Sequence, residues 1–284
     1  MHGSRTLLIF LHGATSSGIE LRQYLSLIPI DKKGNTFMDE LGLSNIDILT
    51  PTSTAIPYAP NMGIATNVWY NRDENFQSAG LDDTSPEDTS GIDASLDRIL
   101  ELLQSTLQSN LNQPYDHVFI GGFSMGGGLT LNILSRIVEF QAASNNKMRG
   151  LFTIGSFLPN NGRGIQSLSI PKEGVSSSTL IPLPLPLLMM HGESDDMIHC
   201  QWGKGTATNM LLHGVDVRFQ TYSDTGHEIT ETMLQDVLGF MSDVELHYAT
   251  DSLQLSMNDA KERVNNNLAN GGTSHVLPSD THSK

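Results

Sequence analysis

From Thr6 to about Leu246 the chain alternates two patterns of apolar positions. Short continuous runs of aliphatic and β-branched residues read as buried strands: Thr6 to Leu11, Ile46 to Thr50, His117 to Gly121, Gly150 to Ile154, Leu187 to His191 and Val217 to Tyr222. Between them lie segments with a period near 3.6, predicting helices over Gly18 to Ile28, Met125 to Phe140, His199 to His213 and Glu228 to Leu246. The strongest helical pattern follows Ser85-Pro86-Glu87-Asp88, where Ser85 is suited to cap, Pro86 to the first turn and Asp88 to the capping-box position. Its apolar face is Ile92, Leu96, Ile99, Leu100, Leu103 and Leu107. Strand and helix alternating along the whole chain predict an α/β architecture, a mostly parallel central sheet with helices on both faces.

Two long connections interrupt the alternation, Pro51 to Asp83 and Asn160 to Pro186. Connections of that length in a compact domain are usually functional or disordered. Pro182, Pro184 and Pro186 would each remove a ladder hydrogen bond, so the strand leading to His191 starts no earlier than about Leu187. Hydrophobic density falls after Thr250, which predicts one domain over 1–250 and a partly disordered tail over 251–284, mobile from Asn265.

Composition narrows the function classes. The formal charge is −15, from 16 basic and 31 acidic residues, which repels nucleic-acid phosphates and argues against a polyanionic partner. The acidic stretch from Asp73 to Glu101 reads as a solvated loop feeding a helix N-terminus. No run is long enough to span a bilayer, so any membrane contact is peripheral, and Leu7 to Leu11 is too short for the core of a secretion signal. Cys200 is alone and cannot form an internal disulfide, which favours a reducing compartment, the cytoplasm.

The chemistry centres on Gly122-Phe123-Ser124-Met125-Gly126. This G-x-S-x-G run follows an apolar strand and opens a helix, the setting of a nucleophile elbow, in which glycines permit a strained turn that lifts the serine hydroxyl above a sheet. Neither dinucleotide-binding nor P-loop glycine spacing occurs. Ser124 is therefore the candidate nucleophile of a serine hydrolase with the α/β-hydrolase fold. A serine hydroxyl needs a base and the base an orienting carboxylate, in the chain order Ser, acid, His. His227 follows the last strand and is the candidate base. The acid should leave the preceding strand, where Glu193, Asp195 and Asp196 compete and spacing does not choose among them. Two backbone N–H groups must hold the oxyanion: Met125, directly after the nucleophile, and Ala14, in the His12-Gly13-Ala14 turn after the first strand.

Taken together, Leu11-His12-Gly13, Asn67-Val68-Trp69-Tyr70, Glu87-Asp88, Ser90-Gly91-Ile92, Gly121 to Gly127, Ser156-Phe157-Leu158, His191-Gly192 with Asp195, and Gly226-His227-Glu228 resemble the acyl-protein thioesterase and lysophospholipase family, its lysophospholipase-like branch above all. The resemblance spans about Leu7 to Met241. It implies Asp195 as the acid, hydrolysis without cofactor or metal, and acylated proteins, lysophospholipids or small acyl esters as substrates. By position it implies Trp69, Phe157 and Met197 as lining of an acyl pocket. The chain departs from the family in having Thr15-Ser16 where Gly-Asp is usual, Met125 where the thioesterase branch has Gln, and a longer 160–186 connection. Met125 matches the lysophospholipase-like branch, while Thr15-Ser16 and the longer connection motivate the alternative of a non-catalytic acyl-binding or interaction protein that retains the hydrolase fold.

Overall fold

The computed structural model describes residues 4–82, 87–160, 162–169 and 185–270, without the side chains of 168, 169 and 251–270. The chain divides into two compact units, Met1–Ser242 and Asp243–Lys284, and the first contains every candidate site residue. In chain order the elements of the described residues are β1 (Thr6–Leu11), α1 (Gly18–Leu25), α2 (Phe37–Leu43), β2 (Ile46–Leu49), β3 (Ala55–Tyr58), β4 (Ile64–Asn67), α3 (Phe76–Ala79), α4 (Thr89–Ser109), β5 (His117–Phe123), α5 (Met125–Asn132), α6 (Ile137–Ala143), β6 (Met148–Ile154), α7 (Arg163–Ser169), β7 (Leu187–Gly192), α8 (Cys200–Leu212), β8 (Val217–Tyr222) and α9 (Glu231–Asn270). Among the described residues no helix is long and apolar enough to cross a membrane.

Six strands form one parallel sheet in the order β2-β1-β5-β6-β7-β8. All six residues of β1 and all six of β7 are buried, on both faces of the pleat, as expected where helices cover a parallel sheet on each side. Gly121 in β5 leaves room for the Phe152 ring, which meets Phe10 edge-on at 5.0 Å between centroids. The chain runs from β1 out to β2, then returns across β1 to β5 and continues in the opposite direction. The reversal falls between β1 and β5, and in open parallel sheets the crevice at the carboxyl ends of such a strand pair is where ligands bind.

Every expected strand is present, with β7 beginning at Leu187. The α4 helix is capped by Asp88 itself, whose carboxylate accepts the Gly91 N–H at 3.0 Å and the Asn71 N–H at 2.8 Å; Ser85 and Pro86 lie outside the described residues. Of its expected apolar face, Ile92, Leu96, Ile99 and Leu103 are buried, and Leu100 and Leu107 half-buried. The helix expected over Met125 to Phe140 breaks into α5 and α6 around a 3₁₀ turn at Ile133–Arg136. Asn132 Nδ2 donates to Gly128 O at 3.0 Å and Ser135 Oγ to Asn132 O at 2.7 Å, side-chain bonds that compete for helix carbonyls.

The connection 51–83 carries structure of its own, an antiparallel β3–β4 hairpin and the short α3. The connection 160–186 contains α7, while 161 and 170–184 lie outside the described residues. The last helix does not stop at Leu246 but continues to Asn270, so the first part of the expected mobile tail is helical; residues 271–284 lie outside the described residues.

Candidate active site

A parallel sheet delivers the carboxyl ends of its strands to one edge, and the candidate residues follow those ends in turn. Gly13-Ala14 follow β1, Ser124 follows β5, Asp195 follows β7 and His227 follows β8. Ser124 has φ 53° and ψ −120°, a strained backbone that places the hydroxyl at the tip of a sharp turn. Three hydrogen bonds hold it there: Ser124 N–H to Ile154 O at 2.8 Å, Gly128 N–H to Ser124 O at 3.0 Å, and Ser156 Oγ–H to Ser124 O at 2.8 Å. The flanking glycines are required by close approach, since a Cβ on Gly122 would collide with the Gly126 backbone and one on Gly126 would sit 2.5 Å from Leu11 O and His12 O.

Ser124 Oγ–H donates to His227 Nε2 at 2.9 Å, and His227 Nδ1–H donates to Asp195 Oδ2 at 2.7 Å. The imidazole is wedged against the Phe123 ring, 4.8 Å between centroids. The Asp195 side chain is fully buried; its Oδ1 accepts Met197 N–H at 3.0 Å and Ile198 N–H at 2.8 Å. Burial alone would raise the Asp195 carboxyl, but the nearby His191 ring and the hydrogen bonds from His227 and the Ile198 N–H outweigh it and hold the group well below the usual carboxylate range. His191 is seated by its Nε2–H, which donates to Ile198 O at 2.7 Å with Asp195 Oδ2 3.4 Å away. Of the three competing acids only Asp195 meets the histidine: the Glu193 carboxylate instead accepts from Thr221 Oγ1 at 2.6 Å, and Asp196 is exposed.

The turn after β1 is locked from three sides. Ser53 N–H donates to His12 Nε2 at 3.0 Å, which leaves the ring proton on Nδ1, and Nδ1–H donates to Gly13 O at 2.7 Å. Burial lowers the His12 pKa, against the pull of the Gly13 carbonyl and the Glu20 charge, so the ring is a neutral strut. Thr15, which replaces the usual glycine, still adopts the left-handed conformation at φ 64°, and its N–H donates to Asn67 O at 2.9 Å. The loop thus keeps a turn that glycine favours, with the cost carried by a β-branched residue. Among the described residues neither Ala14 N–H nor Met125 N–H donates within the protein, and both residues border the same cleft as Ser124.

That cleft has a volume of about 380 Å³. Phe157 and Met197 line it, together with Tyr58, Pro60 and Phe76 from the 51–83 connection, which no sequence motif singles out. Trp69 does not line it. Its side chain is buried behind the β1 turn, where Nε1–H donates to His12 O at 2.8 Å and the indole lies 4.9 Å from the His12 ring. The Asn67–Tyr70 motif therefore supports the turn from beneath, and the walls come from residues on either side of it. Among the described residues no group of three or more His, Cys, Asp or Glu side chains is arranged to hold a metal ion.

The family model of the Phospholipase/Carboxylesterase family matches residues 2–245. Lysophospholipase-like protein 1 of Mus musculus is 26% identical over 228 residues, 80% of this chain and 82% of that protein. Acyl-protein thioesterase 1 homolog 2 of Dictyostelium discoideum is 26% identical over 234 residues, 81% of this chain and 88% of that protein. The crystal structure of Arabidopsis thaliana SOBER1 superposes with a TM-score of 0.60 at 22% identity, covering 84% of this chain and 99% of that one, a likeness of fold.

Proposed function

Because the chain belongs to the phospholipase/carboxylesterase family, and is a hydrolase of carboxylic esters or thioesters, we propose that it works through an acyl-enzyme on Ser124. The observation that carries the reading is the unbroken hydrogen-bonded path from Ser124 Oγ through His227 to the buried Asp195, opening on a cleft of about 380 Å³. Ser124 Oγ attacks the carbonyl carbon as its proton passes to His227 Nε2; the carbonyl oxygen, now an oxyanion, lies against Ala14 N–H and Met125 N–H. His227 then returns the proton to the departing thiol or alcohol. Water, deprotonated by the same nitrogen, releases the acid and restores the serine. The acyl chain occupies the cleft walled by Phe157, Met197 and Phe76, and the substrates are acyl groups on protein cysteines, lysophospholipids or small alcohols, consistent with the names of the relatives.

The direct test is covalent. A fluorophosphonate is expected to add one equivalent to the folded protein, recovered on the Ser124 peptide by mass spectrometry, and none to Ser124→Ala. A folded parent that stays unlabelled would refute the acyl-enzyme and favour a binding protein on the same fold.

His12 has a separate, measurable part. In His12→Ala the buried Ser53 N–H loses its acceptor and Gly13 O its donor, so the turn presenting Ala14 is no longer fixed. The expected result is a fall in kcat of ~10²-fold with KM changed far less, since oxyanion contacts strengthen only in the transition state. A proportionate rise in KM with kcat intact would place His12 in ground-state binding instead.

A further inference from the structure

A second hollow, also of about 380 Å³, meets the first at Gly13, Ala14, Phe123 and His227. It therefore touches the imidazole and the β1 turn from outside the acyl cleft, and it does not include Met125, Phe76, Phe157 or Met197. Its own walls are Glu20, Tyr24 and Glu228, with Leu21 and Ile229. No Lys or Arg lines it, whereas the acyl cleft includes Arg72 beside Glu74. Glu20 accepts from the hydroxyls of Ser16 and Ser17 at 3.1 and 3.0 Å, and Glu228 accepts from Gly226 N–H at 3.3 Å. Among the described residues neither carboxylate is in an ion pair. Tyr24 holds its place through O–H donation to Ile229 O at 2.9 Å, and the residue is 43% exposed.

We propose that this second cleft is the leaving-group subsite, and that Glu20 and Glu228 select leaving groups that carry a positive charge close to the scissile bond. The inference rests on the acyl-enzyme reading. His227 Nε2 must protonate the departing sulfur or oxygen, so the leaving group departs past the imidazole, and the hollow that shares His227 without the acyl walls receives it. Two carboxylates with no cation of their own, beside the Tyr24 and Phe123 rings, suit an ammonium or guanidinium group.

The test compares S-butyryl thioesters of equal spacer length: thiocholine, its neutral carbon isostere 3,3-dimethylbutanethiol, and anionic 3-mercaptopropionate. For the parent, kcat/KM is expected to fall in that order, with the cationic ester favoured over the neutral one by roughly tenfold at low salt. In Glu20→Gln/Glu228→Gln that ratio should approach one, although only two of fifteen net negative charges are removed, which separates a local effect from the overall charge. Raising the ionic strength to about 0.5 M should shrink the parent's ratio as well. A matched pair of N-acetylated, C-amidated S-butyryl cysteine dipeptides, with lysine or norleucine following, is run beside it; the pair showing the larger collapse identifies an ammonium alcohol or a basic side chain as the source of the charge. A parent ratio of one in both pairs, or a ratio that survives the double substitution, overturns the proposal. If the neutral ester is still cleaved in a Ser124-dependent way, the acyl-enzyme reading stands while the subsite falls; if cleavage never depends on Ser124, the acyl-enzyme reading itself fails.

Discussion

Ser124→Ala is expected to lower kcat for p-nitrophenyl butyrate by at least ~10⁴-fold, with the protein still folded and KM little changed. The size follows from what the side chain does in the proposed sequence: without Oγ there is no acyl-enzyme, and hydrolysis must proceed by direct attack of water. The remaining rate comes from the Ala14 and Met125 N–H groups and from binding, which survive the substitution. For the same reason the effects should not add. Ser124→Ala/His227→Ala is expected to be no slower than Ser124→Ala alone, because a base without its nucleophile has nothing to deprotonate in the first step. The backbone at Ser124 is strained at φ 53°, and alanine relieves none of that strain, so thermal stability should shift little. Burst kinetics separate the steps further: the parent should release p-nitrophenol ahead of butyrate, and the variant should release the two together. Activity retained in the variant would remove Ser124 from the mechanism altogether.

The sheet was readable because its strands are buried on both faces and so appear as unbroken apolar runs, as Leu7 to Leu11 and Leu187 to Met190 do. The elbow was readable because its glycines answer to backbone collisions that nothing but glycine avoids. The acid was not readable from spacing alone: Glu193, Asp195 and Asp196 lie within four residues, and what separates them is the turn that buries Asp195 beneath Met197 and Ile198 N–H. Trp69 was misread because an aromatic beside a motif looks the same whether it faces ligand or core; its indole N–H, spent on His12 O, decides the matter. The helices α2 and α7 and the β3–β4 hairpin are short, with one or two buried residues each where assigned, too few to set a period. The lining that Tyr58, Pro60 and Phe76 supply comes from that irregular stretch, and its contribution depends on three-dimensional return of the chain to the elbow. Thr15 is the opposite case, in which a β-branched residue adopts the left-handed conformation that glycine favours.

Asp195→Asn is expected to reduce kcat by ~10⁴-fold while changing one atom. In the parent, Oδ1 accepts two backbone N–H groups and Oδ2 accepts His227 Nδ1–H, so every proton around the side chain points inward. An amide cannot satisfy that arrangement in either orientation. With its NH₂ toward His227, the ring must accept at Nδ1 and carry its proton on Nε2, the nitrogen that has to take the proton from Ser124. Turned over, the NH₂ faces the N–H groups of Met197 and Ile198 and leaves them unsatisfied, at a cost of about 1–3 kcal/mol in stability. The acid limb of the stability profile supplies a second reading of the same residue. Because the folded carboxyl lies well below its unfolded value, Asp195 stabilises the parent fully above the ordinary carboxylate pKa of about 4 and progressively less as the pH falls through that value toward the folded one. Melting curves of the parent should therefore move down between about pH 5 and about pH 3 more steeply than those of Asp195→Asn, which has no proton to gain there. Parallel acid limbs would mean that the carboxylate is no better held in the folded chain than in the unfolded one, and the positioning of His227 would then need another source.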